Sequence, residues 1–396
     1  MRIIVNQSTA LGAKTGIGHY TRELLNALRS IAPDETFDTF PPAWWNACRG
    51  LGGYLRSGKK AGAKSTPSWR SSISDYLRSL GDGALRHYLG LANRWHKYDL
   101  YHEPNHIPLP SKLPTIATIH DLSVILHPEW HPADRVAYYE RSFRKGLRQC
   151  VHLLANSEFT RQQVIRILDV APDRITCTPL GIRPNLQPMA AADLAEARSR
   201  LGLPDKYLLF VGTMEPRKNL LMLMRAYCDL PADLRERCPL VLAGGWGWNA
   251  AEIAAFLDNE ARHRNVIHLG YVQDADFPAL YGGARALVFP SFYEGFGLPL
   301  LEMMACGGAV LASTADAVVE VVGRHAHLID AHDLAGWRDA MQRIIVDDDW
   351  LNRLKQGVRH RAADFSWQRC ATATLAVFRR VLGLPTLEST PQRRAG

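Results

Sequence analysis

Glu294 and Glu302 stand eight positions apart in the string EGFGLPLLE, and the residues between them decide what two such carboxylates can do. Residues 286–289 form a short apolar run closed by Pro290 and Ser291, which predicts a buried parallel strand that ends in a loop. Pro299 suits a first helical turn, and the apolar run from Leu300 carries the helix until Gly307 and Gly308 end it. Glu294 therefore falls in a loop beside Gly295 and Gly297, and Glu302 falls inside the helix. A glycine-flanked loop that feeds a helix N-terminus exposes backbone N–H groups to phosphate oxygens or sugar hydroxyls. A carboxylate one turn into that helix can accept hydrogen bonds from vicinal hydroxyls, as a ribose presents them.

A second set of chemical groups sits in GTMEPRKN. Residues 207–211 read as a strand, Gly212 opens a polar loop, and a helix follows from Asn219, so Arg217 and Lys218 stand at a helix N-terminus. An arginine fork, a lysine point charge and a positive helix end together suit a diphosphate. Near the N-terminus, residues 1–6 read as a strand, Gly12, Gly16 and Gly18 as a loop, and residues 20–30 as a helix, the opening of a dinucleotide-type fold. His120 and Asp121 follow the buried strand 115–119 at its carboxyl end, where ligands bind in open parallel sheets.

The string from Glu294 to Glu302, together with GTMEPRKN, resembles the signature of the retaining glycosyltransferases of family 4, the group 1 or mannosyltransferase-like enzymes. The resemblance implies an α/β chain of GT-B type, with two Rossmann-like domains facing across a cleft and a C-terminal helix that crosses back to the first. It places an acceptor-side domain at 1–186, completed by 366–384, a nucleotide-sugar domain at 187–365, and a polar tail at 385–396. It assigns His120, Glu294, Arg217 and Lys218 to catalysis. Donor binding goes to Gly16, Gly18, Thr213, Arg217, Lys218, Val272, Glu294, Gly295, Phe296, Gly297, Leu298 and Glu302. Thr213 stands where many members carry an arginine, which leaves charge neutralisation to Arg217 and Lys218. The usual proline after the glycine pair is Ala309.

The implied activity is transfer of a hexose, mannose from GDP-mannose being favoured, to a glycan or lipid-linked glycan, as in surface polysaccharide assembly. No cofactor and no metal are required by this chemistry, because the leaving phosphate can take the acceptor proton in a front-face attack. Asp274-Ala275-Asp276 looks like a metal-binding DxD, but it precedes a helix and reads as its cap. Two rival functions are a nucleotide-sugar epimerase on the same fold and a non-enzymatic binder of anionic membrane or nucleic acid.

The rest of the chain has to position these groups. With 396 residues, 47% apolar and 22% charged, it has the length for two globular domains. No stretch reaches the roughly 18 apolar residues that span a bilayer, and the apolar start stops at Asn6, too early for a secretory leader. Seven scattered cysteines without a CxxC pair point to a reducing cytoplasm rather than to disulfides or a cysteine zinc site. His102, His106, His127 and His131 lack a compact metal spacing.

The net charge of +8 is concentrated in residues 41–97, where ten Lys and Arg face only Asp75 and Asp82. Trp44, Trp45, Tyr54, Trp69, Tyr76 and Trp95 are interleaved with them, a mixture suited to anionic lipid headgroups. No nucleic-acid recognition module is present, so a peripheral position at the inner face of the cell membrane is expected. Caps are predicted at Ser157 and Ser366, the latter opening the helix 365–382.

Overall fold

The computed structural model describes residues 1–11, 16–42 and 69–385, with side chains from residue 83 onward in the last stretch. Gly12, Trp44, Trp45, the side chain of Trp69, most of the basic segment and the tail after residue 385 lie outside the described residues.

Among the described residues, twelve strands form two six-stranded sheets, every pairing parallel. The first sheet runs β2-β1-β3-β4-β5-β6, with β1 at Arg2–Asn6, β2 at Thr36–Phe40, β3 at Leu100–Glu103, β4 at Thr115–Ile119, β5 at Cys150–Ala155 and β6 at Ile175–Cys177. The second runs β12-β11-β10-β7-β8-β9, with β7 at Leu208–Val211, β8 at Leu240–Ala243, β9 at Val266–Gly270, β10 at Ala286–Phe289, β11 at Ala309–Ser313 and β12 at His327–Ile329. The apolar runs of β4, β7, β8, β10 and β11 are buried along their whole length, as strands covered by helices on both faces must be.

Topology then fixes where a ligand can enter. In the second sheet the order reverses between β7 and β10, so the loops after these two strands diverge at their carboxyl ends and leave a crevice. GTMEPRKN follows β7 and the Glu294 loop follows β10. In the first sheet the reversal lies between β1 and β3, with Asn6 and Glu103 at the two strand ends.

Helix Trp367–Val381 packs on the first sheet side although it follows the whole second sheet in sequence. Trp367 meets Tyr20 at 6.2 Å between ring centroids, Phe378 meets His102 at 5.3 Å, and Arg379 pairs with Glu35 at 2.7 Å. A methyl group on Gly181 would stand 2.1 Å from the Trp367 backbone nitrogen, so glycine is what lets the connector pass under this helix. Its Ser366 cap accepts from the Arg369 N–H, and Ser157 accepts from that of Thr160, as the sequence predicts.

Two local expectations are corrected. Gly16 and Gly18 lie in the first turn of helix Gly16–Ile31 rather than in a loop before it. Gly18 needs its missing side chain, since a Cβ there would stand 2.6 Å from the Thr9 carbonyl oxygen, whereas Gly16 faces open space. Finally, Asp276 makes no capping bond to the helix Phe277–Gly283; it pairs with Arg200 at 2.7 Å, and Asp274 reaches toward the first sheet.

Candidate active site

Lys218 ends a 3-10 turn, Pro216–Lys218, and Asn219 takes φ +58° before helix Leu220–Cys228 starts. Asn219 is anchored through its side-chain amide to the carbonyls of Pro290, at 3.1 Å, and Ala331, at 2.7 Å, which joins the two crevice loops. The turn delivers Lys218 Nζ to Glu294 Oε1 at 2.5 Å and Arg217 Nη1 to Glu294 Oε2 at 3.2 Å. Arg217 also pairs with Glu215 at 2.7 Å and with Asp121 of the first sheet at 3.6 Å. The two cations therefore serve three carboxylates.

Burial alone would raise the Glu294 carboxyl; the charges of Lys218 and Arg217 outweigh it and hold the group below its ordinary range. Burial opposes the Arg217 charge, but Glu294, Glu215 and Asp121 outweigh that and hold the guanidinium more firmly protonated than usual. Asp121 is likewise held low against its burial by Arg217, and it accepts from the Ser123 N–H and hydroxyl at 2.8 and 2.7 Å. Ion pairs this deep gain little net stability, but removing one partner strands a buried charge.

The Glu294 loop is braced from across the cleft. A Cβ on Gly295 would lie 1.7 Å from the His120 carbonyl oxygen, so the second sheet's loop touches the end of β4 backbone to backbone. The Gly295 carbonyl accepts from Ser157 Oγ at 2.6 Å and from Thr160 Oγ1 at 3.2 Å. The Tyr293 hydroxyl accepts from the Leu122 N–H at 3.1 Å and donates to Gln163 at 2.5 Å. Gly297, at φ +118°, turns the chain into helix Leu298–Ala305.

The His120 ring bonds within the first sheet side. Its Nε2 donates to the Pro104 carbonyl at 2.7 Å and its ring stands edge-on to Tyr20 at 4.8 Å. Burial lowers the His120 imidazole below its usual value, against the Pro104 bond and the Asp121 charge. His106, whose Nε2 accepts from the His120 N–H at 3.4 Å, is lowered to about 3, by burial and then by His120.

Glu302 is placed differently. It lies in the middle of helix Leu298–Ala305 with its side chain 1% exposed, meeting Arg183 Nε at 2.7 Å and the Tyr281 hydroxyl at 2.7 Å. Burial raises its carboxyl, and the Arg183 charge and Tyr281 bond only partly offset this. Thr213 is exposed in the loop after β7, Phe296 is buried in the core, and Val272 follows Gly270, whose φ is +70°.

On the first sheet side, a cavity of about 190 Å³ opens beside Asn6, Ser8, Glu103, Asn105 and Tyr139. Glu103 accepts there from Asn6 Nδ2 at 2.7 Å and from the Asn105 N–H at 3.0 Å. Glu103, Arg183, Tyr281 and Tyr293 carry no motif of their own in the sequence, and Glu215, inside GTMEPRKN, was passed over for the two cations beside it.

Two family descriptions match the chain, "Glycosyltransferase Family 4" over residues 57–186 and "Glycosyl transferases group 1" over residues 193–361. The O-antigen chain mannosyltransferase B of Escherichia coli is 37% identical over 290 residues, which cover 73% of this chain and 76% of that protein. The chain is a family 4, group 1 glycosyltransferase. A second E. coli relative, the serotype-specific mannosyltransferase WbdA, is 31% identical over 68% of this chain, which spans only 34% of that longer protein. The sucrose-phosphate synthase of Thermosynechococcus elongatus superposes with a TM-score of 0.72 at 19% identity, covering 97% of this chain and all of its own, a likeness of fold. The glycosyltransferase thus has the two facing Rossmann-like domains of the GT-B architecture.

Proposed function

We propose that this glycosyltransferase moves mannose from GDP-mannose, with retention of anomeric configuration, to a glycan or lipid-linked glycan acceptor in surface polysaccharide assembly. The observation that carries the reading is Glu294, held between Lys218 and Arg217 after the carboxyl end of β10, on a loop whose Gly295 lies against the end of β4. The names of the two E. coli relatives support mannose as the sugar.

In this reading the donor diphosphate sits at Arg217 and Lys218, with Thr213, Gly16 and Gly18 along its path and Val272 near the base. Glu294 orients the sugar, Gly295 to Leu298 line it, and Glu302 accepts from the ribose hydroxyls. The bond from the anomeric carbon to the diphosphate oxygen breaks, and that carbon bonds to the acceptor oxygen on the same face. The acceptor proton passes to the departing phosphate. Negative charge grows on the diphosphate during this step, so cations fixed beforehand favour the transition state over the ground state. His120 contributes at the acceptor side, and the cavity beside Glu103 offers that acceptor a polar floor. The proposed domains are 1–186 with 366–384, and 187–365.

The membrane reading draws support from the described end of helix Trp69–His96. Leu85 and Leu89 turn into the core, while Leu91 is 45% and Trp95 81% exposed, one turn apart and flanked by Arg94 and Lys97. No helix among the described residues is long and apolar enough to cross a membrane. A thermal-shift panel of nucleotide sugars tests the donor. GDP-mannose at a hundred times its dissociation constant should stabilise by about 2.7 kcal/mol, and a panel in which no nucleotide sugar shifts the transition contradicts the reading.

A further inference from the structure

The connector between the sheets carries Arg183, three residues before Leu186, and its contacts tie three parts of the molecule together. Its Nε pairs with Glu302 Oε1 at 2.7 Å and its Nη2 donates to Oε2 at 3.3 Å. On the other side Nη1 meets Asp274 Oδ1 at 3.4 Å, and the guanidinium lies over the Phe277 ring at 4.3 Å. Asp274 in turn pairs with His19 at 3.3 Å and Arg22 at 3.5 Å, both on helix Gly16–Ile31 of the first sheet side. The chain of contacts runs from that helix to the interior of helix Leu298–Ala305.

A carboxylate with a side chain only 1% exposed does not stay ionised without a countercharge. Arg183, itself 13% exposed, is the more accessible member of the pair. We propose that Arg183 is a positioning residue for nucleotide recognition: it supplies the countercharge that aims Glu302, and Asp274 keeps the guanidinium beside the site when ribose takes over the carboxylate. The proposal rests on the reading of Glu302 as the ribose acceptor.

Glu302 is faced by Arg183, Tyr281, Cys306 and Asp274, and Asp274 by Arg183, His19 and Arg22. Among these, Arg183 lowers the Glu302 carboxyl, whose burial already raises it. Loss of Arg183 raises it further, so the ionised form, and ribose binding with it, returns only as pH increases.

The test is calorimetry on the full chain with GDP, UDP and their 2′,3′-dideoxy counterparts, taking the tighter ribonucleotide, from about pH 6 to about pH 8.5. Wild type should prefer the ribonucleotide at every pH. Arg183→Gln should bind it about tenfold more weakly at the acid end, where the charged hydrogen bond is lost, with the ribo-to-dideoxy preference collapsing and then recovering toward alkaline pH. Arg183→Lys, which keeps the charge, should restore most of that preference. A wild-type preference in Arg183→Gln at all pH values, alongside its loss in Glu302→Gln, overturns the role of Arg183 and leaves the ribose reading intact. An unchanged preference in Glu302→Gln removes both. Should Arg183→Gln fail to unfold cooperatively, Arg183→Lys decides, because loss of the preference at every pH in a charge-retaining variant contradicts the proposal.

Discussion

Glu294 and Glu302 are both buried, they sit eight residues apart, and their carboxyls are displaced in opposite directions. Glu294 has two cations in contact and is held ionised against its burial. Glu302 has one cation and a phenol, and burial wins. The loop carboxylate is thus a permanent charge next to the proposed reacting carbon, whereas the helix carboxylate is a conditional one whose state depends on its neighbours. What separates them is the number of countercharges each strand end can deliver.

The largest effect expected from breaking this contrast is at Lys218 and Arg217. Either residue replaced by alanine should lower turnover at saturating donor by roughly 10²-fold or more, because transition-state charge loses a fixed partner and Glu294 is left half-compensated. Steady-state rates near wild type in both variants would remove the cations from the reaction. Gly295→Ala should follow, since its methyl must push the loop off the His120 carbonyl 1.7 Å away. A shift of that order can cost up to about 10²-fold in turnover, read beside a melting curve that separates it from loss of fold.

Glu302→Ala should act on binding instead, weakening the nucleotide by about 1 to 3 kcal/mol in calorimetry with a smaller change in the bound rate. An unchanged nucleotide affinity would take Glu302 out of the site. The opposite displacements also set a pH order. Glu302, raised, protonates first as pH falls, and the depressed Glu294 keeps its charge until its cations are outcompeted. Nucleotide affinity should therefore decline at a higher pH than turnover of bound donor, and coincident acid limbs would contradict the contrast. The smallest effect is at the periphery. Each Lys or Arg of residues 41–97 near an anionic surface contributes about 1 kcal/mol, screened by salt. Co-sedimentation with anionic vesicles should fall at high salt, and equal recovery with neutral vesicles would leave the basic segment without this role.

Much of the fold was legible because it is written in local patterns. The strands Thr115–Ile119 and Ala286–Phe289 end where their apolar runs and breakers end. The caps at Ser157 and Ser366 are equally local. Glu294, Arg217 and Lys218 were found by motif, and the fold brings both cations within 3.2 Å of the Glu294 carboxylate. Arg183 was not, because its meaning lies in Glu302, 119 residues away, and in Asp274, which looked like a cap. The partners that brace Gly295 were hidden for the same reason: Ser157 reads as an N-cap, and it is one, but its hydroxyl also reaches across the cleft. Local pattern gives a residue its backbone role and is silent on a second, long-range one.

The central claim is retaining transfer of mannose at the Glu294 site. Its most direct test is the anomeric configuration of the product first formed from GDP-α-mannose and a glycan acceptor, followed by NMR through the coupling at the new anomeric centre. The account predicts an α-mannoside, formed by wild type and formed roughly 10²-fold or more slowly by Lys218→Ala. A β-mannoside, or no transfer of mannose at all, would contradict it.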